Sequence, residues 1–144
     1  MKGFSISTDK SKLQRERVHR FLSKEAYWCT EIPMEVVNAA IDHSLCFGLY
    51  SEADGTQIGF ARVVTDYATF AWICDVYVEN EFRDRGLATW LIESVMKHSA
   101  LQGLRRICLT TKDAHGLYSK HGFEVTKTPG SWMEIKDPEI YKRR

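Results

Sequence analysis

No run in this chain approaches the roughly 18 apolar residues that a bilayer crossing needs. The opening MKGFSISTDKSKLQRERVHRF has no apolar h-region, so no secretory leader is expected. There is no CxxC pair. Cys29, Cys46, Cys74 and Cys108 lie far apart, and the last three each sit inside an apolar run. That spacing argues against a zinc knuckle or a disulfide frame, and the expectation is buried free thiols in a reducing cytoplasm with no metal site. The formal net charge of +1 offers no broad basic face for nucleic acid, so any anion site has to be local. The closing YKRR reads as a solvated basic tip. Neither GxxxxGK[ST] nor GxGxxG occurs, which excludes the two commonest glycine-rich phosphate loops. No repeat, low-complexity tract or linker divides residues 1–144, so a single domain is expected.

Hydrophobic residues make up 44% and charged residues 27%, enough for an ordinary globular core. FSIST is a short alternating segment, and residues 8–25 form a helix pattern behind a Ser/Thr/Asp cap signal, with Leu13, Val18, Phe21 and Leu22 on one face. Residues 33–44 read as a second helix with Pro33 in its first turn. The period then changes. LCFGLYS and QIGFARVVT are strand-like and joined through Asp54-Gly55, a hairpin signal. ATFAWICDVYV is nearly all apolar, as suits a strand covered on both faces. GLATWLIESVMKHS carries a helical apolar stripe. RRICLTT is a further strand, DAHGLYSKHG a short helix ending at Gly122, and FEVTKT and SWMEIK are two final strands. The expected fold is therefore mixed α+β: a mostly antiparallel seven-stranded sheet, about four helices, and one βαβ crossover over residues 70–111.

The junction VYVENEFRDRGLATWLIESV, residues 76–95, joins that long strand to the third helix. A helix N-terminus has unpaired N–H groups and partial positive charge. After a central strand it suits a phosphate. Gly86 permits a tight turn and close approach, Ala88 keeps the first helical turn small, Thr89 adds a hydroxyl, and Arg83 and Arg85 add charge. The same residues also fit a plain helix start with two solvated arginines.

RDRGLA matches [Q/R]-x-x-G-x-[G/A], and AHGLYSKHGFE matches A-x-x-L-Y-x-K-x-G-F. In that order, and on those elements, the chain resembles the GNAT acetyltransferase superfamily, most closely over residues 58–125. The resemblance implies a GNAT acyl-CoA N-acyltransferase fold and acetyl transfer from acetyl-CoA, its acetyl-donor co-substrate, to a primary amine of a small molecule or peptide. It implies neither nucleic acid nor membrane as a partner, and a homodimer as a frequent state. A GNAT-fold module that binds CoA without turnover is the alternative.

The resemblance also assigns residues. The backbone of Val76, Tyr77 and Val78 would receive the pantetheine arm, and the segment Arg83, Asp84, Arg85, Gly86, Leu87, Ala88 and Thr89 would cradle the pyrophosphate. Tyr118 would stand near the thioester sulfur as a general acid, a role a phenol can fill, or else pack the short helix. Many relatives carry Asn where this chain has Thr111, and a hydroxyl there retains some capacity to bond the donor. Asp75 is the only charge in FAWICDVYV. A carboxylate in an apolar strand has to be paired or used, so Asp75 is either a base or ammonium-binding group, or the partner of an arginine. His115 is a weaker candidate. Tyr27 and Trp28, in a loop, are candidates for the acceptor pocket, while Trp72 and Trp132 read as core. No cysteine lies in an activating setting, which favours direct attack in a ternary complex over an acetyl-enzyme.

Overall fold

The computed structural model describes residues 1–143. Its elements, in chain order, are β1 (Phe4–Ser7), α1 (Arg15–Lys24), α2 (Met34–Asp42), β2 (Leu45–Ser51), β3 (Gln57–Thr65), β4 (Phe70–Val78), α3 (Leu87–Lys97), β5 (Arg106–Cys108) and α4 (His115–Ser119). One sheet runs β1-β2-β3-β4-β5, antiparallel except for the parallel β4–β5 pair that closes the crossover through α3. The β2–β3 hairpin forms where Asp54-Gly55 signals it. Gly55 takes φ +74°, and Asp54 Oδ1 accepts the Thr56 N–H at 3.0 Å.

Alternation along the strands gives the sheet two apolar faces. On one, Val18, Phe21 and Leu22 of α1 and Val37 and Ile41 of α2 bury against Cys46, Phe60 and Tyr77. On the other, Leu91 and Val95 of α3 pack on Phe47, Ala61, Val63, Ala71 and Ile73. Leu87, at the start of α3, packs on Leu49, Ile58 and Val78.

Two sequence expectations are corrected. The cap signal at residue 8 belongs to a separate 3-10 turn: Asp9 accepts the Ser11 N–H at 2.9 Å, and α1 begins only at Arg15, with no side-chain cap. The sheet, among the described residues, has five strands rather than seven, because FEVTKT and SWMEIK pair with nothing as strands. Val125 and Met133 are 73% and 94% exposed and Ile135 wholly so, and the PG between the segments forms a 3-10 turn, Pro129–Ser131. An alternating pattern stabilises a strand only where a partner edge and a covering layer meet it. The edge strand here, β5, is three residues long.

Leu91 is fully buried, so Leu91→Ala should cost about 2–5 kcal/mol in a urea melt. Ile135→Ala should stay within about 0.5 kcal/mol. An equal loss at both positions would show that residues 131–136 are packed.

Candidate active site

The site begins where β4 leaves β5. Their pairing covers only Phe70–Trp72 against Arg106–Cys108, while β4 runs on to Val78. Against β3, the register shifts by one residue between Phe60↔Tyr77 and Arg62↔Cys74. This is a β-bulge, and Asp75 within it takes φ +52°, a left-handed conformation that Asp tolerates better than most residues. The extra residue reverses the alternation. Ile73 packs on the α3 side, as does Val76 beyond the bulge, whereas Tyr77 turns to the α1 side. There it stacks on Phe21 with ring centroids 3.8 Å apart and planes at 8°. The end of β4 is also tied to α1: Arg17 donates to both Glu79 oxygens at 3.0 and 2.8 Å and to the Gln57 carbonyl at 2.8 Å.

After Val78 the chain makes a 3-10 turn, Asn80–Phe82, and two left-handed residues, Asp84 (φ +63°) and Gly86 (φ +78°), bring it into α3. Gly86 occupies the N-cap position, and no side chain caps the first turn. A Cβ built on Gly86 meets no atom within 4 Å, so the space beside it is open. The N–H groups of the first turn carry partial positive charge. The two arginines have different settings. Arg83 Nε donates to the Val78 carbonyl at 2.9 Å, and Arg85 lies over the Phe82 ring, 5.4 Å from its centroid.

A groove of about 680 Å³ runs along this junction. Val76, Tyr77, Val78, Arg83, Asp84, Gly86, Leu87, Ala88 and Thr89 line it, together with Tyr27, Trp28 and Tyr118. So the strand end, the helix N-terminus, the two loop aromatics and the tyrosine of the second motif line one cleft. Tyr118 is 9% exposed, packs edge-on against Phe123, and burial pushes its phenol up to about 12. Tyr27 and Trp28 are 61% and 45% exposed and meet edge to face at 5.1 Å. The Lys112 ammonium lies 5.3 Å above the Tyr27 ring.

Other expected residues stand elsewhere. Thr111 and Arg85 are not among the groove-lining residues; Thr111 Oγ1 accepts the Ala114 N–H at 3.0 Å at the start of α4. His115 is exposed and outside the lining. Trp132, read as core, is 42% exposed with the Arg106 guanidinium 5.3 Å from its ring. Asp75 is paired: Arg62 Nε donates to its Oδ2 and Trp28 Nε1 to its Oδ1, both at 2.8 Å. Sequence reasoning missed Arg62, although it is a lone charge within an apolar strand and carries the same signal as Asp75. It also missed Phe21, Glu25 and Phe82 of the lining, which nothing in a helix or turn pattern marks.

The acetyltransferase (GNAT) family model matches residues 15–123. This chain belongs to the GNAT acetyltransferase family. A Gibberella zeae protein described as an acetyltransferase is 33% identical over 138 residues, covering 82% of this chain and 77% of its own. The crystal structure of a GNAT-family protein from Xanthomonas campestris pv. campestris is 49% identical, covers 98% of each chain and superposes with a TM-score of 0.93. Glucosamine-6-phosphate N-acetyltransferase from Arabidopsis thaliana has the same fold at 17% identity, with a TM-score of 0.63 over 93% of this chain and 97% of its own. This GNAT protein is thus a transferase with four helices and a mixed sheet. No helix among its described residues is long and apolar enough to cross a membrane, and no group of three or more His, Cys, Asp or Glu among them could hold a metal ion.

All four thiols of the GNAT chain are free. Burial pushes Cys29 and Cys74 up to about 12 and Cys46 to about 11, so these three are neutral thiols at pH 8 rather than nucleophiles. Cys29 and Cys46 should therefore stay unmodified by an aromatic disulfide reagent in the native protein at pH 8, and react at once in guanidinium. Mass spectrometry of the labelled peptides reads this out. Rapid native labelling of either would contradict their burial.

Proposed function

We propose that this chain is an acetyl-CoA-dependent N-acetyltransferase that acts on a primary amine by direct attack in a ternary complex. The observation that carries the reading is that the β4 edge beyond Trp72, the uncapped start of α3 and Tyr118 line a single groove. The residues present fit the donor. Val76, Tyr77 and Val78 would offer main-chain groups to the pantetheine arm in the manner of an added strand. The N–H groups from Asp84 to Thr89 would hold the pyrophosphate, the Arg83 N–H being donated to the Asn80 carbonyl at 3.3 Å, with the Arg83 side chain adding charge. Arg85, over Phe82 at the rim, adds to the local positive field, and Thr111 contributes by fixing the start of α4.

Acetyl-CoA supplies the activated acyl group. The amine nitrogen attacks the thioester carbonyl, the new C–N bond forms and the C–S bond breaks. Tyr118 holds the proton that the departing thiolate takes, and solvent at the groove mouth receives the proton the amine loses. A phenol raised by burial is a weak acid in water but a suitable donor to a thiolate in a partly dry cleft. Direct attack suits a chain whose buried thiols are neutral. Those unpaired thiols also fit a reducing compartment such as the cytoplasm. In this reading Tyr27, Trp28 and Glu25 of the groove lining form the acceptor end, which would take a small amine or a peptide terminus.

Arg83→Ala should weaken acetyl-CoA binding by calorimetry, by roughly three- to thirtyfold for a lost charged contact. Unchanged affinity would remove Arg83 from the donor site. Tyr118→Phe should lower kcat about 10²-fold or more with little change in donor affinity. Because the Tyr118 phenol is raised to about 12, its acid form persists up to that pH. Turnover should therefore show no alkaline fall from its deprotonation below about pH 11, with acceptor saturating. A fall centred near pH 9 that disappears in Tyr118→Phe would contradict this. Donor binding with no thiol release across a panel of amines would favour a CoA-binding module instead.

A further inference from the structure

Asp75 is not itself among the groove-lining residues, but Trp28, which it holds, is one of them. Trp28 Nε1 donates to Oδ1 at 2.8 Å and Arg62 Nε to Oδ2 at 2.8 Å. Arg62 donates in turn to the hydroxyl of the buried Ser44 at 3.1 Å. Taking a proton from an amine would neutralise the carboxylate that pairs with Arg62. The arrangement instead resembles a clamp: a half-buried ion pair anchored in the sheet, holding an indole by its N–H.

The indole needs such an anchor. Trp28 lies on a 3-10 turn, Tyr27–Cys29, with no side-chain cap, and is 45% exposed. Among the described residues its aromatic contact is Tyr27, edge-on and itself exposed, and its side-chain hydrogen bond is the one to Asp75, which fixes the direction of the ring. That bond depends on the bulge, because the left-handed φ of Asp75 sets where its carboxylate points.

We propose that Asp75 is a positioning residue. Together with Arg62 it holds Trp28 as a rigid aromatic wall at the acceptor end of the groove, and Trp28 selects primary amines that carry a flat apolar group. This rests on the acetyltransferase reading of the groove. A ligand that covers the free indole face gains apolar burial and stacking. An apolar pocket contact of this size discriminates between substrates by roughly ten- to two-hundredfold.

The test uses protein labelled with ¹⁵N at its four tryptophan indoles, with Trp28→Phe identifying the Trp28 N–H resonance. Asp75→Ala should move that resonance to the position of a water-exposed indole while the other three stay, which also reports that the fold is intact. Asp75→Asn, which keeps the side-chain volume, covers the case in which the alanine variant unfolds. Phenethylamine should shift the wild-type Trp28 resonance and ethanolamine should not. With acetyl-CoA as donor, Trp28→Phe and Asp75→Asn should raise KM for phenethylamine about tenfold, far more than they lower kcat, and leave the acid limb of the pH profile in place. A Trp28 resonance indifferent to Asp75 or to phenethylamine would overturn the proposal. So would loss of the acid limb in Asp75→Asn, which would make Asp75 the base. Calorimetry with acetyl-CoA separates the two levels: absent donor binding defeats the acetyltransferase reading, whereas donor binding with an unresponsive Trp28 defeats only this one.

Discussion

One extra residue in β4 sets the geometry of the site. Without the bulge at Asp75, Ile73 and Tyr77 would share a face, and Tyr77 would point at α3 instead of stacking on Phe21. With it, Val76 and Val78 stay on the α3 side and Tyr77 locks α1 against the strand end. The strand is thus held at its far end by contacts to α1 and β3, where β5 no longer pairs with it. A strand that lost a neighbour without such ties would have free edge groups and a tendency to pair with anything available. Here that edge lines a groove.

The same bulge bears on two groove-lining segments, the start of α3 and the Tyr27–Trp28 turn. Downstream, the chain runs to Gly86 and the N-terminus of α3, which no side chain caps and which carries partial positive charge. At the bulge itself, the carboxylate reaches across to Trp28. A local backbone strain of order 1–3 kcal/mol for a left-handed non-glycine residue is offset by two 2.8 Å hydrogen bonds and by the stacked rings. The stacked Phe21–Tyr77 pair and the Arg17–Glu79 pair then keep α1, and the Tyr27–Trp28 turn that follows it, in register with the strand.

Much of this was legible in the sequence. The long apolar strand, the crossover helix and the two motifs place Val76–Val78, Gly86–Thr89 and Tyr118 together, because strand and helix periods are local and the motifs fix their order. The lone charge at Asp75 announced a special position. Its partner did not follow, since Arg62 is thirteen residues away and only the β3–β4 register brings the two together. The bulge was equally hidden: ATFAWICDVYV is apolar on both faces, so no alternation exists to reveal a change of phase. The last two strands failed for the opposite reason. Met133 and Ile135 alternate well, but alternation describes what a strand would bury, and no partner edge or covering layer meets them. Thr111 shows a similar limit, because a hydroxyl near a helix start is as readily a cap as a ligand.

The central claim is that the freed end of β4 and the open start of α3 form one donor site. Hydrogen–deuterium exchange with and without acetyl-CoA tests it most directly. Slowed exchange in both segments 76–78 and 86–89 on adding acetyl-CoA is the predicted result. Binding that leaves both segments unchanged, and protects some other part of the chain, would contradict it.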